Sequence, residues 1–515
     1  MKKNVLALSI AAMIGGFAGT ASAQVAPAPA AAFPTPANAV DFVQSEGGNG
    51  HILLVPYYTA QNGNATAVHV VNTDTKNGKA VKVRFRGAAN SDDVLDFTVL
   101  LSPGDVWTGT VTGDDNGAHF STSDTSCTYP NIFGQSIPFK ADRLKGGDTK
   151  GTKEGYIEIL NMADTVPGSD IFKATKHAAG GKAPTCDTAV LDKTLELDPT
   201  KIEDAVKLGF DTPSGQLTGD WYIINVTNTN TFSGAATAIK AVSNATTRAN
   251  GNGNFVLFPQ DDAVSAAAST PDTYTADPVL KTTGVTNATG GAVADLPVLK
   301  AVNYDFPDLS TPYLSGVTDP AVQASKLTAA VANGGVSNQF DVDKTVAAKT
   351  DWVLSMPTRR YSVGANYSVA STSDDYRVFN AAVVSADDKA FFTKDNTTVD
   401  ADGNICVATK SNTFYDREEA SVKNGAVISP GIATVIRLCG EVNVLSFNAK
   451  DAKSVLGASI ARGNADVGYA NGWGAVSYNS PLPVVGSAFI SATNAHSAPG
   501  VSGNYGITWP HRFAK

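Results

Sequence analysis

Asp400, Asp402 and Asn404 alternate with Ala401 and Gly403, a spacing of oxygen ligands around a turn-forming glycine that resembles part of a calcium loop. Asp395 and Asn396 lie just upstream, but the downstream glutamate that would complete an EF-hand is missing. Asp114-Asp115-Asn116-Gly117 and Asp261-Asp262 have similar composition in looser spacing. Calcium is the cofactor these residues could hold, and the plainer alternative is a set of solvated acidic turns.

Paired carboxylates for acid and base work are harder to find. Glu418 and Glu419 adjoin Asp416 and Arg417, yet neighbouring residues in a strand point to opposite faces, so this pair cannot flank one bond. A second carboxylate would have to come from elsewhere, such as Asp374 or Asp375, and a salt-bridged strand end with Arg417 is the plainer reading. The six histidines, His51, His69, His119, His177, His496 and His511, are scattered singly. No nucleophile elbow, zinc-protease helix or phosphate loop is present, so the expectation is a protein that is not an enzyme. Trp107, Trp221, Trp352 and Trp473 could form a carbohydrate platform, but three of them sit in or beside apolar strands, where a core role is expected.

Four cysteines, Cys127, Cys186, Cys406 and Cys439, make an even set in a chain that carries an export signal. No two have zinc-site spacing. Three pairings are open; neighbours in sequence are preferred, Cys127 with Cys186 and Cys406 with Cys439, because each would close a loop of moderate length and stabilise by about 3 to 4 kcal/mol. The export signal is Lys2-Lys3, an apolar run from Val5 to Phe17, and Ala21-Ser22-Ala23, which reads as a signal peptide over residues 1–23. The mature chain would begin near Gln24. No later run is apolar for long enough to cross a bilayer, and no cysteine follows the cleavage site to carry a lipid. Secretion to the cell surface is expected, with the periplasm as the alternative.

Charged residues make up only 17% of the chain and the formal net charge is −9, so the surface must be largely Thr, Ser, Asn, Gly and Ala. Nucleic acid is excluded as a natural partner, since phosphate binding needs clustered Lys and Arg. Residues 24–50 begin as an Ala/Pro-rich tether with little capacity to bury surface. From His51 onward short apolar alternation takes over. Val81, Val83 and Phe85 alternate with Lys82, Arg84 and Arg86, predicting one buried and one exposed cationic face. Asn77-Gly78, after Val68-His69-Val70-Val71, predicts a tight hairpin turn. Ser102-Pro103-Gly104-Asp105 predicts another turn, between Leu95–Leu101 and Val106–Val111.

Further strands are expected at Tyr156–Leu160, Trp221–Val226, Phe255–Phe258, Trp352–Met356, Ala433–Leu438, Val442–Phe447 and Pro483–Ile490. Two helices are expected after Asp198-Pro199, closed by Gly209, and after Asp319-Pro320, closed by Gly334-Gly335. The fold class is therefore mainly β: immunoglobulin-like β-sandwich domains with long loops, at 242–253 and 263–294 for example, and a few short helices. The expected division is an N-terminal sandwich over 51–240 with a disulfide-bearing insertion, a loop-rich middle region over 241–350 with one short helix, and a C-terminal β domain over 351–515.

Several phrases carry a resemblance to a poorly characterised family of secreted bacterial cell-surface proteins. They are Leu53-Leu54-Val55-Pro56-Tyr57-Tyr58, Val71-Asn72-Thr73-Asp74, Val83-Arg84-Phe85-Arg86, Leu101-Ser102-Pro103-Gly104-Asp105-Val106-Trp107, Gly155-Tyr156-Ile157-Glu158, Asp351-Trp352-Val353, Pro357-Thr358-Arg359-Arg360 and Glu441-Val442-Asn443-Val444. The resemblance covers most of the mature chain, implies an exported surface-associated β protein, and brings no active site. Surface-layer proteins are similar in composition, although the four cysteines depart from their pattern. The expectation is a non-enzymatic structural protein that associates with itself as an oligomer or lattice, with a cell-surface glycan or the outer membrane as further partners. The alternatives are a filament or adhesin subunit built by strand addition, and a secreted hydrolase or carbohydrate-binding protein.

Overall fold

The computed structural model describes residues 33–195, 202–256, 285–291, 308–367, 369–418, 436–448, 454–494, 497 and 503–514. The signal peptide, the first part of the Ala/Pro stretch and most of 263–294 lie outside them. The described chain is mainly β, in antiparallel sheets with short helices between them. Among these strands one parallel pair occurs, Val442–Phe447 with Arg462–Ala465.

The N-terminal half is a sandwich. One sheet runs Asp41–Gln44, Thr237–Asn244, Ile52–Thr59, Glu154–Thr165, Gly78–Gly87, Asp93–Leu101 and Cys127–Tyr129 in spatial order; the other runs Asn230–Ala235, Leu217–Asn225, Asn64–Asn72, Val106–Asp114, Gly117–Ser121 and Ser136–Pro138. Aromatic side chains from the two sheets meet between them: Phe97 edges Trp107 at 5.7 Å, and Phe85 lies 5.3 Å from Phe120.

Both predicted turns join sheets rather than neighbouring strands. Asn64–Asn72 and Gly78–Gly87 belong to different sheets, so the hairpin expected around Asn77-Gly78 is an arch over the edge of the sandwich. Asp74 organises it by accepting from the backbone N–H groups of Lys76 and Asn77. Gly78 is there for closeness, because a Cβ would lie 2.4 Å from Thr165 Oγ1 and 2.8 Å from Leu101 O. The Ser102–Asp105 turn forms as read, with Gly104 at φ +72°, and it too crosses between sheets. The real hairpin pairs Gly78–Gly87 with Asp93–Leu101.

A second correction concerns the cationic face. Lys82, Arg84 and Arg86 are 4%, 1% and 1% exposed, so the strand Gly78–Gly87 is buried on both faces. It lies inside its sheet, with Val83 and Phe85 against the second sheet and the arginines facing other parts of the chain. Residues 33–50 are likewise no free tether: Phe33, Ala39 and Phe42 are buried, and Asp41–Gln44 pairs with Thr237–Asn244. That latter strand folds back through Ala249–Asn250, within the stretch read as a loop.

The C-terminal half has a sheet ordered Ser411–Tyr415, Asn471–Leu482, Asn333–Asp341 and Arg512–Ala514, and another ordered Arg462–Ala465, Val442–Phe447, Lys349–Ser355, Ser487–Thr493 and Asn504–Pro510. Trp352 fills the space between them, 4.9 Å from Phe447, with its indole N–H donating to Gln339 O at 2.8 Å. Phe255 and Val256 are buried without forming the expected strand, and 257–258 lie outside the described residues.

The helix Pro320–Val331 begins as expected, with the Asp319 side chain accepting from Ala321 N. It ends three residues before Gly334-Gly335, and Gly335 instead lets its strand approach Val476 O, 2.5 Å from where a Cβ would sit. Ile202–Leu208 stops at Gly209, φ +99°, while its expected cap Asp198-Pro199 lies outside the described residues. Asp170–Thr175 and Thr188–Leu195 are helices that polar composition concealed.

Truncating Trp352 to Ala should cost about 3 to 5 kcal/mol of unfolding free energy through the cavity it leaves. Trp473→Ala, at a half-exposed site, should stay within about 0.5 kcal/mol. Denaturant titration of the two variants checks the contrast.

Candidate functional site

The strand faces buried against other parts of the chain carry the densest collection of charge in the described residues. Glu158 sits opposite Arg84 in the pairing of Glu154–Thr165 with Gly78–Gly87, and Asp96 sits opposite Arg84 on its other side. Strand register therefore lines acids and bases on one face. Lys79 binds Asp74 at 3.0 Å and Asp164 at 2.7 Å, Lys82 pairs with Asp96, and Arg84 reaches Asp93 at 3.2 Å.

The C-terminal half closes over this face and adds its own ions. Asp308 lies 2.7 Å from Arg360 and 3.7 Å from Arg86, while Glu158 lies 3.4 Å from Arg86 and 3.7 Å from Arg360. Two arginines and two carboxylates, one of each from either half, thus form a closed ring. Arg360 also stacks on the Tyr361 ring at 4.1 Å. Beside it, Arg359 pairs with Glu441 at 2.7 Å, and Glu441 Oε1 accepts from Arg360 N at 3.1 Å. The Tyr156 hydroxyl donates to Glu158 Oε1 at 3.0 Å.

Electrostatics follow from this geometry. Burial would raise the Asp308 carboxyl, but Arg360, Arg86 and Arg84 outweigh it and hold the group below the usual carboxylate range. For Glu441 burial wins over Arg359 and the group is raised. Asp92, accepting from the Tyr367 hydroxyl at 2.6 Å, is pushed by burial up to about 7. The arrangement can neutralise charge and fix the relative position of segments far apart in sequence. Its side chains are occupied with one another.

The predicted residues fall into separate places. Cys127 pairs with Cys186 and Cys406 with Cys439, the neighbour pairing. The second pair links directly opposed residues of Ile405–Ala408 and Arg437–Cys439. Asp400 Oδ1 accepts from Asp402 N at 3.0 Å and Asn404 N at 2.8 Å, and Oδ2 accepts from Asn404 Nδ2 at 2.9 Å. Asp402 O accepts from the Lys145 ammonium at 3.0 Å. The loop therefore satisfies its own carboxylate and already has a cation against it. Asp400 also lies near Cys406 and Cys439, whose sulfurs are committed to their disulfide.

Asp114 makes the same kind of turn, accepting from Asn116 N at 2.7 Å. Glu418 is exposed, with its N–H donating to Asp416; Glu419, Asp261, Asp262 and His496 lie outside the described residues. Asp375 is exposed and accepts from Asn287. Trp107, Trp221 and Trp352 are buried, whereas Trp473 is 47% exposed.

His51 and His511 are buried as neutral rings. In each, Nε2 faces a backbone carbonyl, Gly251 O at 3.0 Å or Val353 O at 2.8 Å, while Nδ1 receives a donor, Ala241 N or Asn338 Nδ2. Both ring positions are thus assigned and a second proton has no acceptor. Burial accordingly lowers His51 to about 3 and His511 to about 4.

Sequence reasoning missed Arg84, Arg86, Glu158, Asp308, Arg359, Arg360 and Glu441. The available signal was paired arginines inside otherwise apolar strand phrases. Comparison with protein-family models, curated proteins and solved structures returns no match.

Arg360→Met leaves Asp308 and Glu158 buried with less counter-charge and should cost about 3 to 5 kcal/mol in denaturant unfolding. The depressed histidines give a pH prediction. The unfolded chain binds protons below about 6.5 that the native rings refuse, so stability falls as pH drops from about 6.5 toward the folded values of about 3 and 4. His511→Gln should show a shallower loss of unfolding free energy than the parent between pH 6.5 and 4.

Proposed function

We propose that this chain is a non-enzymatic structural protein of the bacterial exterior, a self-associating cell-surface subunit of surface-layer type. The observation that carries the reading is the closed ionic ring of Arg86, Glu158, Asp308 and Arg360, sealed from solvent and shared between the two halves. A ring of that kind serves rigidity. Ionisable side chains arranged for turnover would need access to a substrate, and these have none.

Other features support the same reading. Two disulfides and a signal-peptide sequence suit an oxidising destination outside the cytoplasm. No helix among the described residues is long and apolar enough to cross a membrane. The phrases behind the family resemblance, Val83–Arg86, Gly155–Glu158, Pro357–Arg360 and Glu441–Val444, supply Arg86, Glu158 and Arg360 of the ring and its neighbours Arg359 and Glu441, while Asp308 lies outside them.

The surface offers a place for association. Tyr505 and Ile507 are 56% and 41% exposed on Asn504–Pro510, which ends its sheet. The edge of that strand packs against Asn230–Ala235, with Ser233 N donating to Thr508 Oγ1 at 3.3 Å, so contact with a second copy is through the exposed apolar side chains.

Purified oxidised protein lacking residues 1–23 should form ordered assemblies under electron microscopy and sediment as oligomers. Tyr505→Lys with Ile507→Lys should keep the melting transition and raise the concentration needed for assembly at least about tenfold. Parent protein that sediments as a monomer at every concentration contradicts the proposal.

A further inference from the structure

The outer face of the sheet built on Asn333–Asp341 has an organisation unrelated to the ionic ring. Its inner face is apolar, with Phe340 stacked on Phe447 at 5.2 Å. On the outer face, strand register sets Tyr415, Trp473 and Gln339 in one row and Thr413, Ala475, Ser337 and Arg512 in the next, because directly opposed residues share a face. Thr413, Ala475 and Ser337 thus make a low surface beside an aromatic wall, with Arg512 at its end.

That wall is rigid and open. The Tyr415 and Trp473 rings stack at 4.8 Å and 17°, and Trp473 is 47% exposed. Trp509, also 47% exposed, stands across Gln339 from it, and the two indoles share a groove of about 410 Å³. Ser337, Gln339 and Arg512 line the same groove. Among the described residues their side chains bond to no other group, so a hydroxyl, an amide and a guanidinium face the groove unpartnered. Among the described residues no carboxylate lines the groove.

We infer that this groove binds a linear β-1,4-linked glycan. A pyranose whose hydroxyls are all equatorial presents flat faces of C–H groups, which carry the partial positive charge that the negative face of an indole attracts. Its rim of hydroxyls matches the free donors and acceptors of Gln339, Ser337 and Arg512. Indoles on two sides of a polar floor suit a chain of such rings. A proline-rich peptide would use the indoles and leave the amide, hydroxyl and guanidinium without purpose. The inference goes beyond the structural role proposed above; Trp473 and Gln339 lie off the strand Asn504–Pro510, so their substitution separates loss of sugar binding from loss of assembly.

The test uses the full mature chain with two probes, cellohexaose and chitohexaose, in titrations read by tryptophan fluorescence and calorimetry. Saturable binding of at least one is expected. Trp473→Ala and Trp509→Ala should each weaken it about tenfold or more, and Gln339→Ala several-fold, with the thermal transition unchanged because all three side chains are exposed. Ser337→Arg, which fills the groove from a lining position, should abolish binding while both indoles remain. Preference for chitohexaose assigns an N-acetylated backbone, preference for cellohexaose an unsubstituted one, and equal binding a site that reads the shared pyranose faces. Absence of binding to both sugars overturns the inference. So does binding that survives the two tryptophan substitutions, or retention only of a peptide with the sequence of residues 24–39.

Discussion

The contact between Arg86 and Asp308 joins a central strand of the N-terminal sandwich to a segment more than two hundred residues away, and the architecture depends on it. An arginine on the buried face of a strand is costly unless carboxylates meet it. Glu158 meets it from the neighbouring strand, and Asp308 meets it from the other half of the chain. Arg360 then balances the two acids. Each half carries one arginine and one carboxylate of the ring, and the contacts Arg86–Asp308 and Arg360–Glu158 close it across the halves. Apart, the halves would leave the Arg86–Glu158 and Asp308–Arg360 pairs facing water, each group without its second partner. Electrostatics therefore fixes how the halves meet, while apolar contact around the ring supplies most of the free energy.

Much of the strand content was legible because alternation is a local signal. Val442–Phe447 appears where it was expected, and Trp352 and Tyr156 lie in strands that the apolar pattern marked. The neighbour pairing of cysteines was also within reach, since each half of the chain holds two. What stayed hidden was which strand pairs with which. Asn77-Gly78 has the composition of a hairpin turn, but its glycine answers to Thr165 and Leu101 across the sheet. No local rule distinguishes an arch from a hairpin when both carry polar turn residues.

The site was less legible for a related reason. Lys82, Arg84 and Arg86 alternate with apolar residues in the manner of a solvated face, and that reading is right whenever nothing covers the face. Here the covering segments come from residues 308, 359–360 and 441, so the information lies in tertiary contact. The acidic loop at Asp400 shows the converse. Its spacing suggested an ion; in the folded loop Asp400 Oδ1 accepts from the backbone N–H groups of Asp402 and Asn404, and Lys145 binds the backbone carbonyl of Asp402. Of the tryptophans weighed for a sugar platform, only Trp473 is left at the surface, because three others lie in strands with apolar partners on the same face.

If the ionic ring makes one cooperative body of the two halves, their slowest amides must open together. Native-state hydrogen exchange on the strands Gly78–Gly87 and Val442–Phe447 measures this directly. The account predicts the same opening free energy and the same denaturant dependence for both strands, lowered equally when Arg360 is replaced by Met. A C-terminal strand that exchanges through its own lower-energy opening, with the N-terminal strand unaffected by the substitution, would contradict it.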